Sequence, residues 1–175
     1  MPNSTTNPPV EIGIPPWTVA TPLGSPVPAV TTITAYRYYM SRVFAAGSFV
    51  TSGVKYLSGT ADVKVRAVLC DAGGTVLASS ALAPTTNGAS AVSEKTLAWT
   101  TPYAVTGPCS LWIALQSETS VAALATIGTT AATNTGFLGG VSPDAAGTSY
   151  ALPTSGVISV PTAYAVSTAP AVSLY

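Results

Sequence analysis

Histidine is missing from this 175-residue chain, and charge of either sign is scarce: six basic and six acidic residues make up 7% of it and cancel to a net charge of zero. Without histidine there is no Ser-His-Asp or Cys-His arrangement, no imidazole base and no His-ligated metal. Typical soluble domains are about 25% charged; here Thr, Ser, Ala, Gly and Pro stand in place of the charge. That composition offers no basic stripe for nucleic acid or anionic lipid, so neither is expected as a partner. It also offers no repulsion between copies, and an exterior of this kind is best accommodated when other protein covers it, including copies of the same chain. No run approaches the roughly 20 apolar residues of a membrane span. The opening MPNSTTNPPVEIGIPP has neither a basic n-region nor an apolar h-region, so synthesis in a cytoplasm is the expectation.

Only two cysteines are present, Cys70 and Cys109. They lie at the ends of expected strands and can pair only if those strands are neighbours. Reduced thiols filling small apolar sites are expected, because a domain of this length is stable without a crosslink. The carboxylates Glu11, Asp62, Asp71, Glu94, Glu118 and Asp144 are scattered singly over arms and turns, whereas a glycosidase needs two of them facing one cleft. Asp71 and Asp144 stand in turn contexts that use Asp to cap the backbone. Gly73-Gly74 and Gly139-Gly140 lack the strand-to-helix setting and the Lys of a phosphate loop. The expectation is a protein that is not an enzyme and that needs neither cofactor nor metal.

What the chain does contain is a succession of short β-branched and aromatic runs divided by Gly, Asp, Pro and Asn, the pattern of a small antiparallel all-β domain. Strands are expected near Tyr36 to Phe44 and Phe49 to Leu57, joined at Ala46-Gly47. Tyr36, Tyr38 and Met40 fall on one face of the first and Arg37, Tyr39 and Ser41 on the other, so both faces are candidates for cover. Val63, Val65, Ala67 and Leu69 alternate with Lys64 and Arg66, and Leu111, Ile113 and Leu115 with Trp112, Ala114 and Gln116, which predicts strands with one face inward. Asp71 to Gly74 predicts a hairpin turn before Thr75 to Ala78. Further strands are expected over Glu94 to Thr100 and at Ala104-Val105, with turns at Thr101-Pro102-Tyr103 and Gly107-Pro108. The run SVAALATIGTTAATNTG is read as strand and loop rather than helix.

Three segments follow. Residues 1–30 carry Pro2, Pro8, Pro9, Pro15, Pro16, Pro22, Pro26 and Pro28, which favour extended backbone, and are read as an N-terminal arm. Its spaced apolar residues Ile12, Ile14, Trp17, Val19 and Leu23 are candidate docking anchors, either on a neighbour or back on the chain's own body. Residues 31–136 are the expected β-sandwich, and residues 137–175 a second extended arm, with Gly156 to Val160 as its main candidate edge strand. One constellation is suited to binding: Tyr36, Tyr38, Tyr39, Trp99 and Trp112, with Tyr56 and Tyr103, sit on expected strands, where rings either stack on sugars or fill the core and subunit contacts.

The pieces Ser52-Gly53-Val54, Tyr56 to Thr60, Leu69 to Ser80, Thr101-Pro102-Tyr103 and Gly107-Pro108 through Gln116 resemble a β-sandwich module of tailed-bacteriophage virion proteins. The resemblance spans the middle of the chain, about a third of it, and rests on turn and strand signatures. It implies a jelly-roll-like fold and a structural role in the virion, in head decoration, fibre or tail, usually as a homo-oligomer docked on other virion proteins. A receptor- or glycan-binding module on the particle is the alternative. Cys109 stands where a Gly or small residue is expected after Gly107-Pro108, and glycan binding is carried to no residue.

Overall fold

The computed structural model describes residues 30–32, 38–58, 64–81, 83–84, 93–117, 123–125, 139–142, 153–162 and 170–175. Among them there is no helix, and eleven strands form two antiparallel sheets. In chain order the strands are β1 (Val30–Thr32), β2 (Tyr39–Ala45), β3 (Phe49–Ser58), β4 (Lys64–Asp71), β5 (Val76–Ser79), β6 (Ala83–Pro84), β7 (Ser93–Val105), β8 (Cys109–Ser117), β9 (Ala123–Ala125), β10 (Gly139–Val141) and β11 (Val172–Leu174). The five-stranded sheet is built on β3, which carries β7 along one edge and β11 on the other; β9 meets the end of β3 and pairs with β1. The six-stranded sheet runs β10-β2-β8-β4-β5, with β6 also on β4. The anchors Ile12, Ile14, Trp17, Val19 and Leu23, and Tyr36 with them, lie outside the described residues.

Alternation along the strands decides the packing. Tyr39, Val43 and Ala45 of β2, Val65, Ala67 and Leu69 of β4 and Leu111, Ile113 and Leu115 of β8 point one way. They form one cluster with Val54 and Tyr56 of β3, Leu97 and Trp99 of β7 and Val172 and Leu174 of β11. This core therefore lies between the two sheets, and the segment ending at Tyr175 contributes to it. Along one side the sheets are stitched together: Ser80 bridges Trp99, and Thr100 Oγ1 donates to the Ser79 carbonyl at 3.1 Å.

The six-stranded sheet also carries a buried cluster on its other face, contrary to the expectation that β4 and β8 hide one face, while Arg42 and Phe44 at the end of β2 remain exposed on it. Tyr38, Met40, Val68, Cys70, Trp112 and Ala114 form a second cluster, closed by Ile158 with Val160 beside it. Gly156 to Val160 is not a regular strand as expected. It crosses this face as a strap, making one bridge, Thr75 to Val157, through the main-chain bonds Val76 N–H to Gly156 and Ile158 N–H to Gly74. Gly74 is required there: its φ is +92°, and a Cβ would lie 1.9 Å from the Ile158 carbonyl oxygen.

The expected turn at Thr101-Pro102-Tyr103 is instead part of one long strand. β7 pairs with β3 on one side, and the register jumps between Thr51↔Tyr103 and Gly53↔Ala98, so that Ser52 faces the stretch from Trp99 to Pro102. Pro102 is exposed on an outer strand at an irregularity, the setting in which a missing N–H costs least. On the other edge of β3 the main chain of Tyr175 continues the β11 pairing past this irregularity: its oxygen accepts from Ser52 N–H at 2.7 Å and from Thr51 Oγ1 at 3.0 Å, and its N–H donates to Gly53 at 3.2 Å. No side chain fits at Gly53, where a Cβ would lie 2.6 Å from the Tyr175 ring.

Candidate functional site

Antiparallel order brings the β2–β3, β4–β5 and β7–β8 connections to one end of the molecule, since Ala45 pairs with Cys109, Asp71 with Leu111, and Phe49 with Val105. There the space between the sheets opens into a groove of about 450 Å³. Its floor is apolar, from Leu77, Val105 and Leu111, and its walls carry the half-buried Tyr103, Thr106 and Asp71. Arg42 stands on the other face of the six-stranded sheet, in register with Met40 and Trp112, where its Nη2 donates to Ser110 Oγ at 2.8 Å. Arg37 lies outside the described residues.

Asp71 is held in place by the turn that it caps. Its Oδ1 accepts from the N–H groups of Gly73 and Thr75, each at 2.9 Å, and its carbonyl accepts from Gly74 N–H. Partial burial pulls its carboxyl upward, but the hydrogen bonds from Thr75, Gly73 and Gly74 outweigh that, so it titrates below its ordinary range. A fixed carboxylate therefore sits at the mouth of the groove across the physiological range, with Tyr103 and Thr106 in the same lining.

The aromatic residues singled out in the sequence are distributed otherwise. Tyr38, Tyr39, Trp99 and Trp112 are each 5% exposed or less, and they divide between the two clusters: Tyr39 and Trp99 between the sheets, Tyr38 and Trp112 beneath the strap. Of the two roles considered for these rings, their burial matches core filling. Trp99 Nε1 donates to Thr51 Oγ1 at 3.1 Å, which satisfies its polar end inside the core. The one ring brought to the groove, Tyr103, was noted in the sequence among a larger set. Thr106, in the β7–β8 connection, carries no pattern that singles it out in the sequence. Strand direction was the available signal, because alternate connections between successive antiparallel strands fall at the same end.

Cys70 and Cys109 are both free, and they lie on opposite sides of the six-stranded sheet: Cys70 in the cluster under the strap, Cys109 against the inter-sheet core. Burial first, and the neighbouring Asp71 charge second, push the Cys70 thiol up to about 12, so it stays protonated. Two polar side chains are buried without a hydrogen-bond partner among the described residues, the Tyr56 phenol in the inter-sheet core and the Gln116 amide at the end of β8. Among the described residues no group of three or more His, Cys, Asp or Glu is placed to hold a metal ion. No helix there is long and apolar enough to cross a membrane. No family model, curated protein or solved structure matches the chain.

Proposed function

We propose that this chain is a non-enzymatic structural component of a tailed-bacteriophage virion, with a jelly-roll-like sandwich as its body. In this reading it associates with its own copies and docks on neighbouring virion subunits in head decoration, fibre or tail. The observation that carries it is the contrast between inside and outside. The chain uses most of its rings and aliphatic side chains internally, yet leaves Phe44, Val50 and Val157 more than half exposed, at 55%, 64% and 67%, on an exterior with few charges. Covering one such side chain contributes on the order of 1.5–3 kcal/mol, so contact with neighbours is the favourable outcome. The N-terminal anchors Ile12, Ile14, Trp17, Val19 and Leu23 extend the same logic, with Trp17 as the strongest single contact.

Analytical ultracentrifugation of the purified chain tests the self-association. An oligomer is expected, and Phe44→Ser with Val50→Ser should shift it toward monomer; a wild-type monomer at tens of micromolar defeats that part. Deleting residues 2–28 should leave the two sheets folded but prevent incorporation into particles, and Trp17→Ala should weaken it. The second reading, a receptor- or glycan-binding module on the particle, is favoured by the loop-built groove.

A further inference from the structure

The groove between the turn at Asp71 and the turn at Gly107-Pro108 has a size and a lining that select among ligands. At about 450 Å³ it falls within the range of about 300–1,000 Å³ common for small-molecule sites. Tyr103 offers part of an aromatic face, Leu77 and Leu111 an apolar floor, and Thr106 a hydroxyl that donates and accepts. Asp71 supplies an acceptor whose position is set by its bonds to Gly73 and Thr75. A polyanion is disfavoured by the carboxylate at the mouth of the groove, and a purely apolar ligand by that carboxylate and the Thr106 hydroxyl. A neutral ring with one apolar face and a belt of hydroxyls fits both surfaces. The ring stacks on the tyrosine, while its hydroxyls meet the Asp71 acceptor and the Thr106 hydroxyl.

We infer that this groove is a saccharide-binding site, with Tyr103 as stacking platform, Asp71 as fixed acceptor, and Thr106 as the polar rim. The inference rests on the second of the two functional readings and is independent of the first. Particle incorporation reports on the structural role, whereas binding by the isolated chain reports on the groove.

The test is titration of the isotope-labelled full chain with glucose, galactose, N-acetylglucosamine, lactose and cellobiose, followed by amide chemical shifts. Binding by at least one of them should move the amides of residues 71–77 and 103–111. Tyr103→Ala should weaken that binding by about tenfold or more, and Thr106→Val, at an exposed position, by severalfold with an unchanged melting temperature. Asp71→Asn, which keeps an oxygen for the Gly73 and Thr75 N–H groups, should weaken it by severalfold. If no saccharide of the panel moves those amides, or if they move while Thr106→Val and Asp71→Asn bind as the wild type does, the inference is overturned. The Thr106 and Asp71 variants keep it testable should Tyr103→Ala fail to fold.

Discussion

The two faces of the six-stranded sheet both carry a buried cluster, but by different means. The inner face packs against a second sheet, with side chains from β2, β4 and β8 interleaving with those from β3, β7 and β11. The outer face is closed within the described residues by a strap with only one bridge to the sheet, anchored by Ile158 and by two main-chain bonds at Gly74 and Val76. Burial alone does not distinguish them, since Ile113 inside and Ile158 outside are 0% and 1% exposed. What differs is how much structure must move to fill a hole. A sheet is held by its whole hydrogen-bond ladder, whereas a strap can settle.

That difference is most directly broken by Ile113→Ala against Ile158→Ala. Such truncations cost about 2–5 kcal/mol, more where the surroundings cannot collapse. Ile113→Ala should fall at the upper end and Ile158→Ala near about 2 kcal/mol in urea unfolding. Equal losses would mean that the strap is as rigid as a sheet.

Gly74→Val is the next largest. It combines a positive φ with a Cβ that collides with the Ile158 carbonyl, and should cost about 1–3 kcal/mol. Hydrogen exchange should show the loss concentrated at the amides of Val76 and Ile158, which bond between strap and sheet, with those of Ile113 and Leu115 in the middle of β8 retaining their protection.

Alkaline pH sharpens the comparison from each side. Burial raises the Cys70 thiol beneath the strap and the Tyr56 phenol between the sheets above their ordinary values of 9.0 and 10.0. A group whose proton is held more tightly in the folded state contributes fully below its unfolded pKa and loses that contribution as pH rises. Stability should therefore begin to fall near pH 9, by at most about 1.4 kcal/mol per pH unit for each group. Cys70→Ala should remove the component that starts first and Tyr56→Phe the one that starts near pH 10.

The smallest effect concerns Gln116, whose amide is fully buried with neither its nitrogen nor its oxygen bonded among the described residues. Replacing an unpaired buried polar group by an apolar one of similar size relieves a desolvation cost of about 1–3 kcal/mol. Gln116→Leu should therefore be neutral or raise stability by up to about 1 kcal/mol in urea unfolding. A loss of more than 2 kcal/mol would reveal that the amide is bonded after all.

Much of the strand pattern was legible. β2 and β3 lie within a few residues of their expected positions, and Asp71 to Gly74 turns as its residues predict, because alternation and turn chemistry are local properties. The alternation of β8 was also right, but its meaning was only half right. Leu111, Ile113 and Leu115 point inward as expected, while Trp112, Ala114 and Gln116 are buried too, under cover that is far away in sequence. Pro102 misled in the opposite direction: read as a turn former, it stands within β7, where the irregularity opposite Ser52 removes the need for its N–H.

The groove was the least legible feature. Asp71, Tyr103 and Leu111 come from three strands, and no local pattern relates them. By itself, the sequence determined the all-β character, the positions of the main strands and the near absence of charge, since these follow from side-chain type and period along one strand. Which faces are covered, where the tail pairs past the bulge at Gly53, and which turn residues meet around one opening were decided only by the tertiary structure. They depend on pairing register and on contacts between segments distant in sequence, and those are chosen by the total burial of the folded chain rather than by the preferences of any one stretch.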